Sequence, residues 1–83
     1  MRSEIILPDL GAAPVVLSVW FADPGDEVFL GDRLVEVLAG GATFDVPAPA
    51  TGRLAEQRVL PDDPLLPGQV LGTVEVADNE DGG

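Results

Sequence analysis

Apolar residues recur at every second position through much of this chain. From Val15 to Phe21, the odd positions Val15, Leu17, Val19 and Phe21 alternate with Val16, Ser18 and Trp20, the period of a strand with one buried face. That phase predicts Trp20 on the outer face, covering a rim. Ile5-Ile6-Leu7 is a shorter apolar run ended by Pro8. Arg33 to Leu38 sets Val35 and Val37 around an outward Glu36, and Thr43 to Val46 alternates again. Leu54 to Val59 alternates irregularly, which predicts a bulge, and Val70 to Val76 is a last strand with Glu75 outward. The punctuation between these runs is turn chemistry. Asp23-Pro24-Gly25-Asp26 and Pro61-Asp62-Asp63-Pro64 are turns, because proline presets one backbone angle and glycine accepts a positive one. Ala39-Gly40-Gly41 lies between two alternating segments, the signature of a tight hairpin whose turn needs positive φ.

The two halves of the chain resemble each other. A shift of 37 residues pairs Leu17 with Leu54, Pro24 with Pro61, Asp26 with Asp63, Gly31 with Gly68, Leu34 with Leu71 and Val37 with Val74. These identities fall on turns and core positions, as a duplicated four-strand unit requires. Two such units face to face bury what neither buries alone. The predicted fold is all-β: a flattened barrel or sandwich of two small antiparallel sheets with a pseudo-twofold axis, the Gly-Gly hairpin at the junction of the halves. Residues 1–77 make this one domain, and Asp78 to Gly83 form an acidic tail with nothing to bury, expected to be disordered.

Composition removes most chemistry. The chain of 83 residues has no Cys and no His, which excludes disulfides, thiol and imidazole catalysis and the usual zinc ligand sets. All four basic residues are arginines (Arg2, Arg33, Arg53 and Arg58), so there is no lysine. A net charge of −11 repels nucleic acid and anionic membranes alike. No apolar run approaches the ~20 residues of a membrane span, and a soluble, cytoplasmic monomer without metal is expected. Asp23, Asp26, Glu27 and Asp32 cluster about one turn but lack the ligand spacing of a calcium loop. Asp62 and Asp63 read likewise as solvated surface. Glu36 and Asp45 pair across the predicted hairpin without a second reactive group, and are read as an exposed face. Trp20 is assigned a half-buried packing role.

One combination of motifs is specific. Leu7-Pro8-Asp9-Leu10-Gly11, Val19-Trp20 and Pro24-Gly25-Asp26-Glu27-Val28 are followed by Asp32-Arg33-Leu34-Val35-Glu36-Val37 and by Phe44-Asp45-Val46-Pro47-Ala48-Pro49-Ala50-Thr51-Gly52. With Pro67-Gly68-Gln69-Val70-Leu71 closing the series, residues 4 to 76 resemble the biotinyl/lipoyl carrier domains, most of all those of 2-oxo acid dehydrogenase acyltransferases. The resemblance implies lipoate or biotin held on a lysine at a hairpin tip, within a Glu-Thr-Asp-Lys-Ala-type segment. It implies structural turn glycines sixteen residues before that lysine and eleven after it. Gly25 and Gly52 bracket position 41 at those intervals, and both are expected at positive φ. Position 41 itself is glycine, and Leu38, Ala39 and Gly40 stand where the resemblance implies the polar recognition segment. The expectation is therefore no cofactor, no catalytic residue and no metal ligand.

Three readings follow. In the first, a lipoyl-domain-like module without its attachment lysine acts non-catalytically, as a scaffold or docking domain. The second is a lipoyl carrier domain of a 2-oxo acid dehydrogenase-type complex, whose proteins the resemblance implies as partners. The third is a barrel-sandwich piece of a membrane-fusion adaptor, in which a coiled-coil insertion normally occupies the hairpin position. The absence of lysine favours the first.

Overall fold

The computed structural model describes residues 1–76; residue 77 and the acidic tail 78–83 lie outside the described residues. Eight strands follow in order: β1 (Arg2–Ile6), β2 (Val15–Trp20), β3 (Glu27–Val28), β4 (Arg33–Ala39), β5 (Ala42–Pro47), β6 (Gly52–Gln57), β7 (Pro64–Leu65) and β8 (Val70–Val76). They form two four-stranded antiparallel sheets, ordered β1-β8-β6-β3 and β5-β4-β2-β7. Exchanging β1 with β5, β2 with β6, β3 with β7 and β4 with β8 turns one order into the other, which is the expected twofold. The 37-residue shift carries β2 onto β6, β3 onto β7 and β4 onto β8 with their ends in register.

The duplication extends to details that the alternation alone does not show. β2 bulges between Leu17 and Val19, and β6 bulges at the equivalent Leu54 to Glu56. Asp26 accepts the N–H of Asp23 at 2.8 Å, and Asp63 accepts that of Leu60 at 2.8 Å. The second turn is thus Leu60 to Asp63, closed by Asp63 N–H on the Leu60 carbonyl at 3.0 Å, one residue earlier than the sequence suggests. Asp62 takes the left-handed place of Gly25, with φ 75° against 96°; aspartate is among the few side chains that accept this region.

The core consists of inward side chains from both sheets, led by Leu17, Leu34, Val37, Leu54, Leu71 and Val74, all 0–1% exposed. The β2 bulge corrects the predicted phase of that strand. Beyond Leu17 the alternation slips by one, so Val19 and Phe21 are 38% and 41% exposed and Trp20 turns inward against the core. Trp20 is half-buried, as assigned, but it bridges the sheets instead of covering an outer rim. Its indole N–H donates to the Val59 carbonyl at 2.9 Å, and its ring lies over Gly72 of β8. The duplicate position, Gln57, donates to the Ala22 carbonyl at 2.8 Å, so one inter-sheet strap is made twice with different side chains. β1 starts at Arg2, earlier than the apolar run, because Arg2 and Glu4 face outward along a strand whose Ile5 is buried. Among the described residues, no helix is long and apolar enough to cross a membrane.

Candidate functional site

β4 and β5 pair from Arg33↔Pro47 to Ala39↔Ala42, leaving Gly40 and Gly41 as a two-residue turn. Their φ angles, 58° and 86°, are the positive pair that a tight hairpin demands and that glycine adopts without strain. Position 41 stands at the exposed tip, and a Cβ added there meets nothing within 4 Å. A Cβ on Gly40 would approach the Ala12 methyl to 3.3 Å. Leu38 projects from the outer face, 39% exposed, while Ala39 points into the core at 2%. The four residues from 38 to 41 thus present a glycine apex and one apolar side chain, with no amine, nucleophile or ionisable group.

The bracketing glycines behave differently from each other. Gly25 sits in its turn at φ 96°, as expected. Gly52 does not take a positive φ; it opens β6, opposite Val76 of β8. Its role is close approach, because a Cβ there would overlap the Glu75 carbonyl oxygen and stand 2.9 Å from that group's carbon. The spacing from the hairpin is as expected, but the reason for the glycine is strand packing.

The acidic clusters are occupied with local structure. Asp26 and Asp63 close their turns as described, and Asp32 accepts the Phe29 N–H at 3.1 Å. Among the described residues no three His, Cys, Asp or Glu side chains form a group that could hold a metal ion. Glu36 and Asp45 are direct cross-strand neighbours. Glu36 accepts the Ser18 hydroxyl at 3.0 Å, and Asp45 lies 3.5 Å from the Arg33 guanidinium, which itself stacks 4.5 Å from the Phe21 ring centroid. A shallow depression on the other sheet is lined by Glu27, Thr51, Gly52, Arg53 and Glu75; its charges alternate in sign and it contains no activated nucleophile.

That other sheet carries the main ionic network. Glu75 accepts from the Met1 amine and from Arg2 Nε, each at 3.0 Å. Glu56 accepts from Arg58 at 3.1 and 3.2 Å and from the Thr73 hydroxyl at 3.3 Å. The Arg58 hydrogen bonds hold the Glu56 carboxyl below the usual carboxylate range, against a smaller opposing effect of desolvation. The Met1 amine and then Arg2 do the same for Glu75. These contacts fasten β1 and β6 to β8.

With fold and hairpin in place, known proteins supply the remaining observation. The profile of the biotin/lipoyl family, described as biotin-requiring enzyme, matches residues 3–74. The chain belongs to this family. It is 34% identical over 77 residues to the dihydrolipoyllysine-residue succinyltransferase component of the 2-oxoglutarate dehydrogenase complex of Bartonella vinsonii subsp. berkhoffii, with 90% of this chain covered. It is 32% identical over 83 residues to the dihydrolipoyllysine-residue acetyltransferase component of the pyruvate dehydrogenase complex of Bacillus subtilis, with 98% covered. The chain spans about a fifth of these relatives, 19% of each. Among solved structures it matches the lipoyl domain of the 2-oxoglutarate dehydrogenase complex from Azotobacter vinelandii, with TM-score 0.71 and 26% identity. That match covers 89% of this chain and 98% of the other. This biotin/lipoyl-family chain is therefore similar to lipoyl domains of 2-oxo acid dehydrogenase acyltransferases in sequence and in fold.

Proposed function

We propose that this chain is a lipoyl-domain-like module without an attachment site, which works by docking to other proteins as a scaffold or competitor. The observation that carries this reading is the hairpin: the glycine at position 41 stands at its exposed apex, in a chain with no lysine anywhere. The residues present do not fit lipoate or biotin, since a side-chain amide to either needs a lysine amine. Loss of the preceding polar segment, now Leu38, Ala39 and Gly40, supports the same reading.

The carrier reading keeps the support of the frame, and requires that the carrying lysine lie on another chain or elsewhere in a longer parent protein. The adaptor reading has less, because the hairpin is closed by two glycines with no insertion. Proteins of a 2-oxo acid dehydrogenase-type complex are the partners to test. The chain should gain no mass when treated with lipoate or biotin ligase, ATP and the corresponding acid. In excess, it should slow acylation of a lipoylated domain by the other components of such a complex. A ligase-dependent mass gain, or acylation unchanged at saturating excess, would overturn the docking reading.

A further inference from the structure

The internal duplication provides a built-in comparison of two outer faces. Across the sheet β1-β8-β6-β3 runs one row of cross-strand neighbours, Arg2, Glu75, Arg53 and Glu27. Its counterpart across β5-β4-β2-β7 is Thr43, Leu38, Val16 and Pro64. The 37-residue shift relates Val16 to Arg53, Leu38 to Glu75 and Glu27 to Pro64, so three charges on one face are replaced by three apolar side chains on the other. The fold does not need apolar residues there, because it accommodates charges at the same places in its other half. Val19, turned outward by the β2 bulge and 38% exposed, adds an apolar side chain beside Glu36 in the next row, and neighbouring side chains across strands meet as a continuous surface.

The charge around this row is one-sided. Glu36 and Asp45 form the next row along the same face, and Asp62 and Asp63 immediately precede Pro64. Arg33 is the one arginine on this sheet, and it is committed to Asp45. Arg2, Arg53 and Arg58 belong to the opposite side. Glu36 has no ion pair among the described residues. An apolar centre with an acidic rim selects against a second copy of this chain, whose own charge is −11, and selects for the opposite sign.

We infer that the outer face of β5-β4-β2-β7, centred on Val16 and Leu38 beside the hairpin tip, docks a basic protein segment that presents apolar side chains between lysines or arginines. The inference rests on the docking reading and deepens it by naming the face and the chemistry of the partner.

The probe is a capped six-residue peptide alternating lysine with leucine, titrated into the ¹⁵N-labelled chain at about 0.1 M salt, where distant surface charges are screened beyond ~10 Å. Amide shifts should saturate and concentrate on Val16, Val19, Glu36, Leu38 and Thr43. Val16→Arg and Leu38→Glu copy the charged row of the other sheet, so both variants should fold. Each should weaken binding roughly tenfold or more, as expected when a central interface side chain is replaced. A peptide with leucines changed to serine, or lysines changed to glutamate, should bind weakly or not at all.

Equal binding of the serine peptide would overturn the inference by showing attraction to acidic surface alone. Shifts on the charged face, or affinity unchanged in folded Leu38→Glu, would do the same. So would a dimer in sedimentation equilibrium that Leu38→Glu disperses, which would give the face to self-association. The ligase and acylation measurements are independent of this titration, so either proposal can fail alone.

Discussion

If the hairpin lost only its attachment residues, a graft should restore modification, and the structure sets what that graft costs. The full replacement is Leu38→Glu, Ala39→Thr, Gly40→Asp and Gly41→Lys. Leu38 is 39% exposed, so glutamate there should change stability by no more than about 0.5 kcal/mol. Gly41 has open space but φ 86°, and a lysine in that left-handed region costs about 1–2 kcal/mol. Gly40, at φ 58°, suits aspartate better, although its Cβ must press the Ala12 methyl from 3.3 Å; about 1 kcal/mol covers both effects. Ala39 is the costly position. It is 2% exposed and faces the core, so threonine inserts two heavy atoms, one of them a hydroxyl oxygen, at about 1–3 kcal/mol.

The total, about 3–6 kcal/mol, is a large part of the roughly 4–12 kcal/mol expected for a domain of this size. The triple variant that keeps Ala39 avoids the largest single cost. Incubated with lipoate ligase, ATP and lipoate, the triple variant should stay folded by circular dichroism and gain one lipoyl group by intact mass. Gly41→Lys alone should be modified poorly, since it lacks acidic neighbours. The quadruple variant should melt lowest of the set. A folded triple variant that stays unmodified, beside a lipoyl-domain control that is modified, would refute the placement of position 41.

Two further outcomes test the frame. Gly52→Ala should cost about 1–3 kcal/mol in urea denaturation, because its methyl overlaps the Glu75 backbone, and should raise hydrogen exchange across β6 and β8. Gly25→Ala, in open space at φ 96°, should cost about 1–2 kcal/mol and leave those amides protected; equal exchange patterns would contradict the separate roles assigned to them. Glu56 and Glu75 have carboxyl pKa values lowered by folding. Their stabilisation is therefore present above the unfolded carboxylate range and lost as pH falls through the folded values. A Glu56→Gln/Glu75→Gln variant should be less stable than the parent near pH 7, with the gap closing as pH falls below the ordinary glutamate range. A gap that is constant with pH would show that the ionic clasp contributes nothing.

The alternation, the 37-residue repeat and the Gly-Gly turn made the sheets, the twofold and the hairpin legible in the sequence. The bulge was visible in β6, where the alternation is irregular, but not in β2. There the odd positions remain apolar straight through the slip, and only the repeat could have carried the β6 bulge onto Val19 and Trp20. Gly52 was placed correctly and explained wrongly, because close backbone approach leaves the same residue in the sequence as a positive φ. β3 and β7, two residues each, are too short for any periodicity. The apolar outer row was unreadable for a different reason. Val16 and Leu38 look like ordinary strand residues until cross-strand register puts them on one outer face.

Leu38 belongs to both proposals, and this makes them opposed. As the first of the four replaced hairpin residues, it removes an acidic group from the expected recognition segment. As the counterpart of Glu75, it supplies the exposed centre of an apolar row where the duplicate sheet has charge. Leu38→Glu therefore pushes the two properties in opposite directions: toward ligase recognition when combined with the graft, and away from docking on its own. A single solvent-facing side chain is a small change in stability but a large one in surface chemistry, since Leu38 sits between Val16 and Thr43 in the cross-strand row. If the chain arose from an acyl-carrying relative, one substitution at position 38 would have weakened the old recognition and begun the new face together. Binding of the lysine–leucine peptide by the triple graft decides the point. Affinity retained alongside efficient lipoylation would overturn the docking inference, since the graft carries Leu38→Glu, whereas affinity lost as lipoylation appears would tie both properties to Leu38.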